Sequence, residues 1–319
     1  MYDGSASGAH CPNTPRYIAD ESGPVSVDGK ARATPWSSSP ASPNTLRLGE
    51  RGSTAASRRV LAQSWLHYDT GMPQRPFLAF ACAHLTDERL YAAQVAALEG
   101  DYECAVFAFR DHDSLGGMAE ELLAKTPARF TLIGLSLGGY LAFEVIRRQL
   151  HRLERLVLMD TTAVADTPER RAGRHADIAK VREGGIEALI PELPSRWLHP
   201  LHVQRPDLVR LMSEMARSIG ARGQLNQQAA MLARPASNED LARVRVPTLV
   251  MCGRSDPVTP VPDHEAMAAR VPGSRLEIIE NCGHLSTIEQ PESVNRVLID
   301  WLRRTDLTPP ASAPSGSSQ

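Results

Sequence analysis

No stretch of this chain approaches the ~18 consecutive apolar residues of a membrane-spanning helix, and Met1 opens no charged segment leading into an apolar core. Neither a membrane span nor a cleaved leader is expected. The twin arginines Arg58 and Arg59 lie too deep, before too short an apolar run, to serve as an export signal. Excess charge of one sign is missing as well: the net charge over 319 residues is -2, with no long Lys/Arg run, which leaves no electrostatic footprint for nucleic acid or an anionic membrane. Cysteine is scarce. The five present, Cys11, Cys82, Cys104, Cys252 and Cys282, are odd in number, widely spaced and mostly set in apolar runs, the usage of reduced core thiols and not of a disulfide framework. A cytoplasmic location is expected. The histidines form no H-E-x-x-H pattern, and His199 and His202 follow a proline-broken segment, so no metal site is expected.

What the chain does have is an alternation of strand and helix patterns. Residues 1–57 are crowded with Pro, Ser, Gly, Ala and Thr, as in TPWSSSPASPNT, and lack apolar periodicity. They cannot bury enough surface to offset their ordering entropy and are expected to be disordered, as is the tail over 306–319. Residues 60–305 are expected to form one α/β domain long enough to carry an inserted lid. LAQSWLHYD, from near Val60, reads as an edge strand, and FLAFACA, from Phe77, as a central one. Helix patterns over Arg89–Leu98, Leu115–Ala124 and Leu137–Leu150 then alternate with strand patterns over Cys104–Phe109, Phe130–Ile133 and Leu156–Met159. Connections this short predict a doubly wound, mostly parallel sheet whose ligands sit beyond the carboxyl ends of its strands. From about 165 to 244 strand patterns stop and a helical lid is expected, with Leu208, Leu211, Met212, Met215 and Ile219 at helical spacing. Strands resume at Thr248–Cys252 and Leu276–Ile279, with helices over Asp263–Ala269 and Pro291–Leu302.

The stretch RFTLIGLSLGGY, Arg129–Tyr140, runs from strand through a tight G-x-S-x-G turn into helix. In such a turn the middle residue is lifted clear of the sheet, which makes Ser136 the candidate nucleophile. A serine hydroxyl is a poor nucleophile at neutral pH, so it needs a base in hydrogen-bond reach and a carboxylate to fix the tautomer of that base. The strand Thr248–Cys252 runs into GRSDPVTP and delivers Asp256; the strand Leu276–Ile279 runs into ENCGHLSTIEQPE and delivers His284. The order Ser136, Asp256, His284 is the one expected with this turn, and all three follow carboxyl ends of strands. Asp160, which ends the strand Leu156–Met159, is the rival acid; otherwise it caps the turn into the lid. The backbone N–H of Leu137, at the start of the helix after the nucleophile, is one expected oxyanion donor.

Over Phe77–Leu302 the chain resembles the α/β-hydrolase superfamily, and within it esterase-like members with GLSLGGY at the nucleophile, CGRSDPVTP around the acid and CGHLSTIEQPESV around the histidine. That resemblance implies Ser136, Asp256 and His284 as nucleophile, acid and base, and hydrolysis of a small acyl compound without a cofactor: an ester, thioester or lactone, or a carbon–carbon bond. It also places the second oxyanion donor, a backbone N–H, at His84, whose side chain is expected to line the pocket mouth and matter little. The chain departs from relatives in two places. Where many carry His-Gly or Pro-Gly after the first central strand, it has Cys82, Ala83, His84 and Leu85, and the usual D-x-x-G-H-G-x-S is shortened to RDHDSL. The leading reading is a lid-bearing serine hydrolase acting on a carboxylic ester through an acyl-enzyme. Its rivals are a cofactor-free carbon–carbon hydrolase or lyase with the same triad, and a binding protein that keeps the fold without turnover.

Overall fold

The computed structural model describes residues 75–306. The amino-terminal extension, the edge strand expected near Val60 and the tail beyond residue 306 lie outside the described residues. Six strands form one sheet: β1 Phe77–Ala81, β2 Glu103–Phe107, β3 Phe130–Leu135, β4 Leu153–Met159, β5 Thr248–Gly253 and β6 Arg275–Ile279. Their order is β2-β1-β3-β4-β5-β6 and every neighbouring pair is parallel. Helices cover both faces: α1 Ala92–Leu98, α2 Leu115–Ala124, α3 Leu137–Gln149, α4 Pro168–Gly184, α5 Leu193–Trp197, α6 Pro206–Leu232, α7 Asn238–Leu241, α8 Val261–Arg270, α9 Ser286–Glu289 and α10 Pro291–Asp306.

Period-two alternation divides the core. On β1, Leu78 and Phe80 face a cluster that includes Tyr91, Leu98, Leu298 and Trp301, so that this side is closed by α1 and α10. Ala79 and Ala81 face the other way, towards Met118 and Leu122 of α2, Leu141 and Val145 of α3 and Met267 of α8. The inner strands β3 and β5 are buried at all six positions, whereas β2 and β6 at the edges are only partly buried. That difference explains why the inner strands read as unbroken apolar runs. Edge strand β2 runs from Glu103 to Phe107, not over the expected Cys104–Phe109.

Between β4 and β5 every regular element is helical, from α4 to α7. Pro168 and Pro206 stand in the first turns of α4 and α6, where a missing N–H costs nothing. Helix α6 extends past the expected Ile219 to Leu232 by bending at Gly220, whose φ of 71° and ψ of 177° are not helical. Helix α10 also runs further than expected, to Asp306, which bonds the Tyr102 hydroxyl and the Arg155 guanidinium. Residue 306, assigned to the tail by its sequence, is therefore part of the fold.

Register places the site. Ala81 pairs with Gly134, Leu135 with Met159, Met159 with Met251 and Gly253 with Ile279, so the carboxyl ends of β1 and β3–β6 lie along one edge. Strand order reverses at β1, whose neighbours are β2 and β3. The loops leaving β1 and β3 therefore flank a crevice at the topological switch point, the usual ligand position in such sheets.

Candidate active site

Ser136 is the single residue between β3 and α3, held at φ 54° and ψ -108°, a conformation that costs a non-glycine residue on the order of 1–3 kcal/mol. Its surroundings over-determine that geometry. The Ser136 N–H donates to Met159 O at 2.9 Å, and its carbonyl accepts from the Gly139 N–H at 2.9 Å and the Thr161 hydroxyl at 2.9 Å. The flanking glycines have a steric cause: a Cβ at Gly138 would stand 2.0 Å from Ala81 O, and one at Gly134 would stand 2.3 Å from Gly138 O. Strand and helix can approach this closely only without side chains there.

Ser136 Oγ lies 3.0 Å from His284 Nε2, and His284 Nδ1 lies 2.8 Å from Asp256 Oδ2. The Asp256 carboxylate is buried yet well supplied with donors. Oδ1 accepts the N–H groups of Val258 at 2.8 Å and Thr259 at 3.0 Å, and Oδ2 accepts the Thr259 hydroxyl at 2.7 Å as well as the imidazole. Burial alone would raise its pKa; the charge of His284 and these hydrogen bonds reverse that and hold it below the ordinary value. For His284 burial works against the imidazolium, while attraction to Asp256, with smaller contributions from Asp160 and Glu289, overcomes it and raises the pKa. An anionic Asp256 accepts only, so the proton sits on Nδ1 and the Nε2 lone pair faces the serine hydroxyl.

Asp160 is placed differently. Fully buried, it accepts the N–H of Gly253 at 3.0 Å on Oδ1 and that of Ser286 at 3.1 Å on Oδ2. Burial, with repulsion from Asp256, pushes its pKa up to about 8. It ties the ends of β4 and β5 to the segment carrying His284 and makes no bond to the imidazole.

Among the described residues, neither the backbone N–H of His84 nor that of Leu137, the first residue of α3, meets a protein acceptor. His84 lines the same cavity as Ser136 and His284, with Trp197, Met231 and Val258, and the cavity measures about 60 Å³. The His84 side chain is buried and lines this cavity. Gln227 Oε1 accepts the Leu85 N–H at 3.0 Å and lies 2.8 Å from His84 Nδ1, while Gln227 Nε2 donates to Phe109 O at 2.7 Å. Since that amide oxygen can only accept, His84 carries its proton on Nδ1. Its Nε2 then accepts from Gln228 Nε2 at 3.4 Å. Burial, reinforced by the nearby Arg174 charge, lowers the His84 pKa to about 3, so the ring stays neutral.

Sequence reasoning missed these two glutamines, and it missed Glu289. Glu289 Oε1 accepts the N–H groups of Gly283 at 3.0 Å and Leu285 at 3.2 Å, and Oε2 accepts the His199 N–H at 2.7 Å and lies 2.9 Å from His202 Nδ1. One buried carboxylate thus holds the residues on either side of His284 and the segment after α5. The Trp197 carbonyl adds a bond from the His284 N–H at 2.7 Å.

A family model described as the alpha/beta hydrolase family matches residues 31–297. The 3-oxoadipate enol-lactonase 1 of Acinetobacter baylyi is 26% identical over 73% of this chain and 91% of its own. The pimeloyl-[acyl-carrier protein] methyl ester esterase of Nitrosomonas europaea is 27% identical, over 64% of this chain and 81% of its own. Among solved structures, a thermophilic esterase from Thermogutta terrifontis superposes with a TM-score of 0.68 at 29% identity, covering 73% of this chain and 91% of that one. The enol-lactonase from Burkholderia xenovorans gives 0.66 at 23% identity, covering 74% and 94%, a likeness of fold. With parallel sheet, strand order and family model in agreement, the chain belongs to the alpha/beta hydrolase family.

Proposed function

We propose that the protein is a serine hydrolase that cleaves a carboxylic ester or related acyl compound through an acyl-enzyme on Ser136. The observation that carries this reading is the relay from Ser136 Oγ to His284 Nε2 at 3.0 Å and from His284 Nδ1 to Asp256 Oδ2 at 2.8 Å, inside a cavity at the strand ends. Relatives named as esterases and lactonases support it from a separate direction.

The chemistry follows from the hydrogen bonds. Ser136 Oγ attacks the substrate carbonyl carbon while its proton passes to His284 Nε2, and Asp256 stabilises the imidazolium that results. Negative charge gathers on the carbonyl oxygen, where the N–H groups of Leu137 and His84 are the proposed donors; the dipole at the start of α3 favours an anion there. Collapse expels the alcohol, which takes the proton back from His284. A water, deprotonated by the same nitrogen, then releases the acid and restores the serine. Helices α4–α7 act in this proposal as the lid, with Trp197 and Met231 closing the cavity over Ser136.

The cytoplasmic reading stands as part of the proposal: Cys82, Cys104, Cys252 and Cys282 are all free thiols. Among the described residues no helix is long and apolar enough to cross a membrane.

The test is covalent labelling with a fluorophosphonate followed by peptide mass spectrometry, together with hydrolysis of acyl esters of graded chain length. The adduct is expected on Ser136, with turnover lost in Ser136→Ala. An adduct elsewhere, with Ser136→Ala fully active, would overturn the assignment.

A further inference from the structure

Beside the serine, the cavity contains a guanidinium that ester hydrolysis does not require. Arg174, from α4, lines the cavity with Ser136 and His284 and is only 16% exposed at its side chain. Its Nε donates to Asp166 Oδ2 at 2.6 Å. Asp166 is not its own, however, because Oδ1 accepts from the buried Arg234 at 2.7 Å. Two guanidinium charges against one carboxylate leave one positive charge in excess, held under the lid. Arg234 has further partners, the Val164 carbonyl at 2.6 Å and the face of Tyr140 at 4.0 Å, so the excess is most open at Arg174.

The remaining N–H groups of Arg174 are poorly matched. Nη1 points at the Met231 sulfur at 3.0 Å and at Gln228 Oε1 at 3.3 Å, and Nη2 reaches Asp166 only at 3.4 Å. A thioether is a weak acceptor, and a partly buried cation facing one is stabilised much better by an anion. Met231 and Arg174 both line the cavity, so a ligand anion can reach the Nη1 edge from inside it.

We infer that the substrate carries a carboxylate, separated by a short chain from the scissile ester or lactone carbonyl, and that Arg174 receives it. The planar guanidinium suits a carboxylate, which can accept two parallel N–H bonds. Size points the same way. A cavity of about 60 Å³ suits a short acyl group and leaves no room for a long chain. The inference rests on the serine-hydrolase reading, because it fixes which carbonyl the anion is measured from. Gln228 adds a positioning function: it joins Arg174 to His84, so filling the anion site also braces the loop proposed to hold the oxyanion.

The test compares two nearly isosteric esters, monomethyl succinate and methyl 4-oxopentanoate, which differ in carrying a carboxylate or a methyl ketone. The full chain is expected to prefer the anionic ester in kcat/KM by about tenfold or more, mainly through KM. Arg174→Gln should lower the anionic-to-neutral ratio by about 10- to 100-fold, the range for a hydrogen bond to a charged group. Asp166 keeps Arg234 in that variant, and a circular dichroism melt checks its fold. Should it not fold, Arg174→Lys retains the charge without the fork, and its ratio should still fall severalfold. A second readout needs no turnover: free succinate should protect Ser136 from fluorophosphonate in the wild type and much less in Arg174→Gln. A preference for the neutral ester, an unchanged ratio in the variants, or absence of protection with Ser136 still labelled, each overturns the anion site and leaves the hydrolase reading standing. Folded protein whose Ser136 takes no label and which cleaves neither ester overturns both.

Discussion

Asp160 Oδ2 accepts the backbone N–H of Ser286 at 3.1 Å, two residues beyond the histidine whose ring it does not touch. Both carboxylates that compete for the acid role thus act on the His284 segment, one through the imidazole and one through the backbone. Their variants should separate accordingly. Asp256→Asn removes the acceptor that fixes the tautomer and is expected to cost on the order of ten-thousandfold in turnover with the fold intact. Asp160→Asn places an amide NH₂ against the N–H of Gly253 or Ser286; above about pH 8, where Asp160 is ionised, it should destabilise by about 1–3 kcal/mol, and it should cost much less turnover once folded. Urea melts and steady-state kinetics on the two variants decide it. A mild Asp256→Asn beside a severe, well-folded Asp160→Asn would move the acid to the earlier strand.

The pH profile follows from the same pair. His284 must be neutral to accept the serine proton, so kcat/KM should rise with pH through the pKa of the free-enzyme imidazole. Burial lowers that pKa, and Asp256, helped by Asp160 and Glu289, more than offsets it, which sets the acid-side midpoint above the ordinary 6.5. Removing the Asp256 charge leaves only the weaker pull of Asp160 and Glu289 against burial, so the residual activity of Asp256→Asn should have its midpoint shifted down. The measurement is kcat/KM between pH 5 and 9 on an ester without a titrating group. A wild-type midpoint under 6.5 that does not move in the variant would mean that the ring is not held by this carboxylate.

What the sequence made legible was set by backbone and register. A buried parallel strand must be apolar on both faces, which is why β1, β3 and β5 stood out, and a residue that follows such a strand has its place at the carboxyl edge almost decided. Ser136, Asp256 and His284 were found that way. Glu289, Gln227 and Gln228 were not, because they bond backbone groups and rings far off in the chain: His84 is 143 residues from Gln227, and His202 is 87 from Glu289. A weak signal existed. Gln227 and Gln228 stand side by side on a helix with apolar neighbours, and buried side chains of this kind are as a rule hydrogen-bonded. Arg174 offered no signal of that kind, since RRAGRHAD reads as a solvated helix face.

Gln227 carries the next prediction. Its amide oxygen takes the Leu85 N–H, and its nitrogen holds the Phe109 carbonyl, so one side chain links the loops after β1 and β2. Leu85 itself sits at a positive φ of 57°, a conformation that needs outside support. Gln227→Leu should let this loop relax and misaim the His84 N–H; losing one oxyanion donor costs roughly a hundredfold in kcat. His84→Ala, which leaves Gln227 bonded to Leu85 and Phe109, should cost less than tenfold, and His84→Pro, which removes the N–H, should match Gln227→Leu. If Gln227→Leu keeps full kcat while His84→Pro is inactive and folded, the brace is unnecessary even though the donor is real.

Glu289 gives the sharpest stability prediction, because all of its acceptor capacity is in use. Four donors surround one fully buried carboxylate: three backbone N–H groups and the ring of His202. An amide in its place is isosteric but has only one oxygen, so Glu289→Gln must point an NH₂ either at Gly283 and Leu285 or at His199 and His202. Two bonds are lost if it faces Gly283 and Leu285; if it faces the other pair, the His199 bond is lost and the His202 ring keeps its bond only by changing tautomer. With bonds to charged groups worth about 1.5–3 kcal/mol each, a loss of about 3 kcal/mol is expected. The orientation chosen decides the functional consequence. If the NH₂ faces Gly283 and Leu285, the residues flanking His284 are released and turnover falls with stability; if it faces His199 and His202, the segment after α5 loosens while the relay stays intact. Hydrogen exchange at 283–285 and 199–202 distinguishes these two outcomes. A Glu289→Gln protein with an unchanged urea midpoint and unchanged exchange in both segments would show that this carboxylate does not hold the histidine loop.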